Sequence, residues 1–159
     1  MEGAQVAIIE NGTVLVQFRP LPPGWEIPGG HCDDTEDPAV CAAREAFEET
    51  GLQVRILGMV GLYRWAGLRH AGDVLYAAEV VGGRRRRTLE AWMSRYVDAS
   101  CLPRALFPWH RQRIVDALAF TPGTDVVLRQ QRVGPLQVLI FGLGWLRVPV
   151  DALERWLRG

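Results

Sequence analysis

Between Asp37 and Gly51 the chain carries a helix with both of its ends marked. Asp37 can accept the hydrogen bonds of an N-cap, and Pro38 suits the first helical position, where its missing N–H costs nothing. Gly51 supplies a left-handed stop, so residues 38–50 are predicted to form one helix. At about 100° per residue, Val40, Ala43, Phe47, Ala39 and Ala46 fall on one side and Glu45, Glu48 and Glu49 on the other. The expectation is a helix that packs with its apolar side and holds three carboxylates outward.

Like charges on one helix face need a reason, because each such pair at i,i+3 or i,i+4 costs about 0.2–0.5 kcal/mol. Arg44 can pair with Glu48 at i,i+4, but the other two carboxylates have no local partner. A merely solvated acidic face is one reading. A bound divalent cation is the other, since hard oxygen ligands suit Mg²⁺ or Mn²⁺ and such ions share their shell with substrate phosphates.

The residues ahead of the helix favour the cation. Gly29 and Gly30 follow Pro28, so the chain enters through a loop whose backbone can approach a ligand closely. After Gly30 come five residues and Glu36, then seven residues and Arg44-Glu45, Ala46, one residue, Glu48-Glu49, one residue, and Gly51-Leu52. This spacing resembles the Nudix box, and the chain is similar to the Nudix hydrolases. Ala46 is the one soft departure, at a position where the family carries a larger aliphatic residue; it concerns packing and not chemistry.

The resemblance covers roughly residues 4–120 and implies an α/β fold of the α+β kind, an α/β/α sandwich around a mixed β-sheet. It implies that Glu45, Glu48 and Glu49 bind metal with help from the backbone carbonyl of Gly29. Glu45 is foremost among the three as the base toward water. Arg44 orients the glutamates, Glu36 supports the loop or the arginine, and Gly30 and Gly51 shape the box. The implied reaction is hydrolysis of a nucleoside diphosphate linked to another group. Mg²⁺ or Mn²⁺ is the implied cofactor and a small-molecule nucleotide the implied partner.

A chain of 159 residues suits one domain that buries about 70% of its unfolded surface. Eighteen basic residues, all arginine, balance eighteen acidic ones, so no global field points to a nucleic-acid polymer or a membrane. Cys32, Cys41 and Cys101 are odd in number and lack metal-finger spacing, which reads as reduced thiols in a cytoplasm. No signal peptide opens the sequence: Glu2 stands where a basic segment would be.

Residues 4–9 and 13–19 read as a hairpin around Asn11-Gly12, with one core-facing side. Residues 20–28 hold four prolines and read as a loop, in which Trp25 either packs down or stacks on a base. Strands are expected at 52–56, 59–65, 73–81 and 89–97, and a second helix at 108–120 with His110 half-buried or at its surface. The arginines at 84–87 either grip a polyphosphate or form a solvated tip.

A family-like domain can end at residue 122, leaving 123–159 as a C-terminal β/α extension. It holds a short strand at 126–128, an apolar run at 138–146 too short for a membrane span, and a terminal helix at 151–157. It is expected to close the sheet of its own subunit or to form a homodimer interface. Arg19, Trp25 and Glu90 are the candidate substrate-binding residues. The stretch 90–94 resembles a segment of MutT-type triphosphatases, in which a nearby glutamate joins the metal site. No proline lies between Pro38 and Pro103, where ADP-ribose-preferring relatives carry one, so a nucleoside triphosphate is the expected substrate.

Overall fold

The computed structural model describes residues 3–66, 72–89, 91–132, 134, 135 and 139. Strands β1 (Gly3–Glu10) and β2 (Thr13–Pro20) form the expected hairpin. Asn11 (φ 49°) and Gly12 (φ 75°) both take the left-handed conformation that a tight two-residue hairpin turn requires. Short strands β3 (Pro23–Glu26) and β4 (Gly29–His31) follow, then helix α1 (Pro38–Thr50). The chain continues through β5 (Leu52–Ala66), β6 (Gly72–Gly83), β7 (Met93–Val97), helix α2 (Pro108–Leu118) and β8 (Val127–Arg132).

The strands form one mixed sheet in the order β3-β2-β1-β6-β5-β8, with β4 paired to β1 and β7 to β2. Near the turn β1 pairs with β2 at Ile9↔Val14 and Glu10↔Thr13. Its other end pairs with β4 at Gly3, Ala4 and Gln5, and along much of its length β1 runs parallel to β6. The strand therefore carries the glycine loop into the sheet directly beside α1.

Each face has its own core. Cys41, Ala42 and Ala46 of α1 pack with Ala4, Val6, Ile8, Leu15 and Tyr76 on one side. Ile114 and Ala117 of α2 pack with Ala7, Val14, Val16, Tyr63 and Leu75 on the other. These layers make the α/β/α sandwich. With both faces covered, Val14, Leu15, Val16 and Gln17 are all buried, whereas a single core-facing side was expected.

Other elements differ from expectation for local reasons. The proline-rich segment includes β3, which lies at the sheet edge, where proline is tolerated. The predicted strands at 52–56 and 59–65 are one strand, β5, kept continuous by register shifts beside Gly58 and Gly61. A Cβ at Gly61 would lie 2.5 Å from Val127, so the glycine lets β8 approach. The strand expected from residue 89 begins only at Met93, and Leu89 and Trp92 are exposed.

Helix α1 matches its predicted ends but not its predicted face. Val40 and Phe47 are 59% and 42% exposed, whereas Cys41, Ala42, Ala46 and Glu49 are buried. Small side chains face the sheet and allow a close approach. Phe47 instead lies under the Arg86 guanidinium, 5.2 Å from its ring centroid.

On the opposite face His110 is fully buried, and its Nδ1 accepts a 3.5 Å hydrogen bond from the Ile27 N–H. Burial, with Arg113 nearby, holds its pKa well below the usual value, so it is neutral. Strand β8 runs parallel to β5 at the far edge of the sheet. Arg129 pairs with Asp116 at 2.7 Å, and Gln131 accepts from the buried Arg113 and donates to the Trp109 carbonyl. Of the apolar run at 138–146 only Leu139, which is exposed, is among the described residues, and the terminal helix at 151–157 and Glu90 lie outside them.

Candidate active site

The acidic helix is held where its ends predict. The Asp37 carboxylate accepts from Ala39 N–H at 2.8 Å and Val40 N–H at 3.4 Å. Gly51 (φ 78°) closes the last turn by donating to the Phe47 carbonyl. The glycine pair of β4 then meets the glutamates. Gly29 donates its N–H to Glu49 Oε2 at 2.9 Å. At Gly30 a Cβ would lie 2.6 Å from the Glu45 carboxyl carbon, so glycine leaves the space that this carboxylate fills.

Arg44 gathers the remaining groups. Its Nε and Nη2 donate to the two oxygens of Glu36, each at 2.9 Å, a bidentate grip that fixes the guanidinium plane. Nη1 donates to Glu45 at 2.8 Å and lies 3.6 Å from Glu48, while Nη2 reaches the His31 carbonyl at 3.2 Å. Arg44 thus links Glu36 to Glu45 and Glu48. Hydrogen bonding to Arg44 lowers the Glu36 pKa, and the same contacts raise that of Arg44.

The inner carboxylates behave differently. Glu49 is only 6% exposed, and burial together with the nearby Glu26 charge pushes its pKa well above the usual carboxylate range. Burial raises Glu45 as well, against the pull of Arg44. Sequence reasoning passed over two neighbours of this cluster. Glu26, buried on β3, pairs with Arg19 at 3.0 Å, and its pKa is raised by burial. Gln17 stands opposite Glu26 on β2 and is 0% exposed. Its amide lies against both Glu26 and Glu49 and lowers their pKa values, although the contacts fall outside ordinary hydrogen-bond geometry. The period-2 step from Leu15 to Gln17 was the available signal, since it places a polar amide in line with a core residue.

Five carboxylates (Glu26, Glu36, Glu45, Glu48 and Glu49) thus share two guanidinium groups, those of Arg19 and Arg44. A partly buried, oxygen-only donor set with excess negative charge fits a hard divalent cation. The box glutamates are held individually, Glu45 and Glu48 by Arg44 and Glu49 by Gly29. Among the described residues, the one group whose potential ligand atoms all lie within 4.8 Å of one another is Cys32, Glu36 and Cys41. Its two cysteines are joined in a disulfide, so the expectation of reduced thiols holds only for Cys101, which is exposed.

The NUDIX domain family model matches residues 2–118. The chain belongs to the NUDIX family. Among curated relatives, a CMP-5'-(N-acetyl-N-hydroxy-3-aminopropyl)phosphonate hydrolase of Streptomyces rubellomurinus is 48% identical over 64 residues. That match covers 38% of this chain and 31% of the relative, so the chain spans about a third of that protein's length. A MutT-like protein of Streptomyces ambofaciens is 28% identical over 115 residues, covering 72% of this chain and 74% of the relative. The crystal structure of an ADP-ribose pyrophosphatase from Streptococcus suis superposes with a TM-score of 0.67 at 20% identity, over 81% of this chain and 97% of that one. That structural likeness establishes the fold.

Within this Nudix domain the three candidate substrate residues part company. Arg19 reaches the acidic cluster through Glu26. Trp25 packs in the α2-side core, edge-on to Phe18 and beneath Arg95, on the opposite face of the sheet from the glutamates. Glu90 is outside the described residues. The arginines at 84–87 form an exposed tip, in which Arg86 covers Phe47 and Arg85 donates to the Ser94 carbonyl. No helix among the described residues is long and apolar enough to cross a membrane.

Proposed function

We propose that this Nudix protein is a divalent-metal-dependent pyrophosphohydrolase. Its expected substrate is a nucleoside triphosphate, cleaved to the monophosphate and pyrophosphate. The observation that carries this reading is the set of box carboxylates ordered by Arg44 and Gly29 around an excess of negative charge. Glu48 and Glu49 would hold Mg²⁺ or Mn²⁺, with the Gly29 carbonyl as a further ligand. When bound, the ion supplies charge neutralisation at the phosphates and acidifies a water. Glu45, backed against Gly30 with its pKa raised by burial, would serve as the base toward water instead of as a ligand. Arg44 keeps Glu45 and Glu48 in register, and Glu36 keeps Arg44 in plane. Residues 1–122 serve as the catalytic domain, with 123–159 packed on it or forming a homodimer contact, in a cytoplasmic setting where nucleotides are the substrates.

A second substrate reading has its own support. The relative with 48% identity is named for hydrolysis of a CMP-linked phosphonate, which makes a cytidylate joined to a phosphonate a candidate. One experiment separates the readings: incubation with Mg²⁺ and a panel of canonical and oxidised nucleoside triphosphates, ADP-ribose, nucleotide sugars and a CMP-phosphonate. Fastest turnover of a triphosphate, with pyrophosphate released and activity abolished by EDTA, is the expected result. Preference for the CMP-phosphonate moves the substrate to the second reading. Full turnover in EDTA refutes the metal mechanism, and tight binding without cleavage makes the protein a sensor.

A further inference from the structure

Cys32 and Cys41 stand at the two ends of the segment that delivers Glu36 to Arg44, nine positions apart and bonded to one another. Cys32 follows His31, whose carbonyl accepts from Arg44, and Cys41 lies on α1 one turn before Arg44. Cys41 Sγ is 3.8 Å from Arg44 Nη2. The bond therefore staples the glycine loop to the catalytic helix at the point where Arg44 collects its carboxylates. Apart from this staple, the segment between the cysteines is tied by a few contacts. These are the Asp37 cap, the Glu36–Asp33 turn and the Glu36–Arg44 pair.

We propose that Cys32–Cys41 is a redox modification site that controls the metal-binding competence of the Nudix box. The inference rests on the metal-dependent reading above. Disulfides are uncommon in reducing compartments, and those that form there are generally transient, catalytic or redox-sensing. The accessibility of the two sulfurs is unequal: Cys41 is fully buried and Cys32 only partly. A dithiol reductant attacks Cys32 and expels Cys41 as a thiolate. Its second thiol then resolves the mixed disulfide, so the reductant becomes a disulfide and the protein gains two electrons and two protons as two thiols. The Arg44 guanidinium stands beside the departing Cys41 sulfur and meets its negative charge. Once that sulfur has taken up its proton as a thiol, the segment that carries Glu36 is left without its covalent tie to α1. Reduction thus loosens the support of the carboxylates without touching them.

The test uses the full chain carrying Cys101→Ser, to prevent disulfides between molecules at that exposed thiol. Oxidised and dithiothreitol-reduced samples are verified by alkylation and intact mass. Each is titrated with Mn²⁺, using the electron paramagnetic resonance signal of free Mn²⁺, and its amide exchange is followed over residues 31–41. Reduction should weaken Mn²⁺ binding about tenfold, the scale of losing an outer-shell support. It should speed exchange in the segment while the melting transition stays cooperative. Reoxidation should restore both, and Cys32→Ser should bind Mn²⁺ like the reduced form with no response to dithiothreitol. Equal Mn²⁺ affinity in the two redox states overturns the proposal, as does absence of Mn²⁺ binding in both. A redox-dependent Mn²⁺ affinity in a protein that hydrolyses no nucleotide upholds the staple and rejects the hydrolase reading.

Discussion

Replacing Glu49 by glutamine should raise the stability of the metal-free protein while abolishing its activity. Glu49 is buried, accepts a hydrogen bond from Gly29, and lies near the buried Glu26 charge and the Gln17 amide. Glutamine at 49 keeps an oxygen for the Gly29 N–H and offers an N–H to Glu26. The loss is about 1 kcal/mol, from weakening a charge-assisted hydrogen bond to a neutral one. The gain is relief of a buried charge without a counter-ion, a situation that costs several kcal/mol when complete and less here, where the carboxyl can take up a proton. A net gain of about 1–2 kcal/mol corresponds to a melting temperature about 3–6 °C higher in a chain of this size.

The pH dependence supplies an internal check. A carboxyl whose folded pKa is raised holds its proton more tightly in the folded state than in the unfolded one. Its contribution therefore destabilises the fold at neutral pH, and stability returns as pH falls through the folded value toward the ordinary carboxylate range. Glu26 and Glu45 act in the same direction, so the variant keeps part of this slope when Glu49 is replaced. Calorimetry in EDTA across pH 5–8 should show the largest advantage of the variant at the alkaline end. Added Mg²⁺ should stabilise the wild type and leave the variant nearly unmoved, because only binding to the folded state raises its melting temperature. In the matched hydrolysis assay kcat should fall by about 10²-fold or more. A metal-free variant that melts at or below the wild type at pH 8 refutes the reasoning on buried charge.

Two further perturbations act on parts of the molecule that hold the site. Arg44→Lys removes the planar bidentate grip on Glu36 and should lower kcat/KM by about 10–100-fold with an unchanged circular dichroism spectrum; activity within twofold of wild type would remove Arg44 from a positioning role. Ending the chain at Pro122 deletes β8 and with it the partners of Asp116, Arg113 and the Trp109 carbonyl, so the product should be insoluble or change its oligomeric state; the same soluble species by light scattering, with an equal melting temperature, would show that the segment is dispensable.

The fold and the site were legible in the sequence to different depths. Helix α1 was readable to the residue, because Asp37, Pro38 and Gly51 act locally through caps and backbone conformation. The Asn11-Gly12 turn was readable for the same reason. The face of α1 was not readable, because its rotation is set by contacts from elsewhere. Gly29 and Gly30 draw Glu49 and Glu45 inward, and Arg86, which lies 39 positions from Phe47, covers that ring outside. Hydrophobic periodicity assumes that burial follows apolarity, and here a carboxyl is buried with a hydrogen bond from the Gly29 N–H. The disulfide was likewise illegible, since counting three cysteines says nothing of which two lie one loop apart.

Arg113 and Glu49 are both buried ionisable groups, and their surroundings differ. Arg113 is matched on every side but one: Gln5 and Gln131 accept from it, Asp73 pairs with it at 3.0 Å, and Tyr63 lies under its guanidinium. Its Nε alone has no partner. Such a network fixes β1, β6, α2 and β8 relative to one another. On the α1 side the balance is reversed. Glu26 and Glu49 exceed the charge that Arg19 offers them, Gln17 has both amide atoms unpaired, and the Arg19 Nε is unpaired as well. Each buried polar atom left without a partner costs about 1–3 kcal/mol, so the fold tolerates a concentrated deficit at one place and compensates for it across the sheet. The divalent cation proposed above would remove the part of the deficit that is charge.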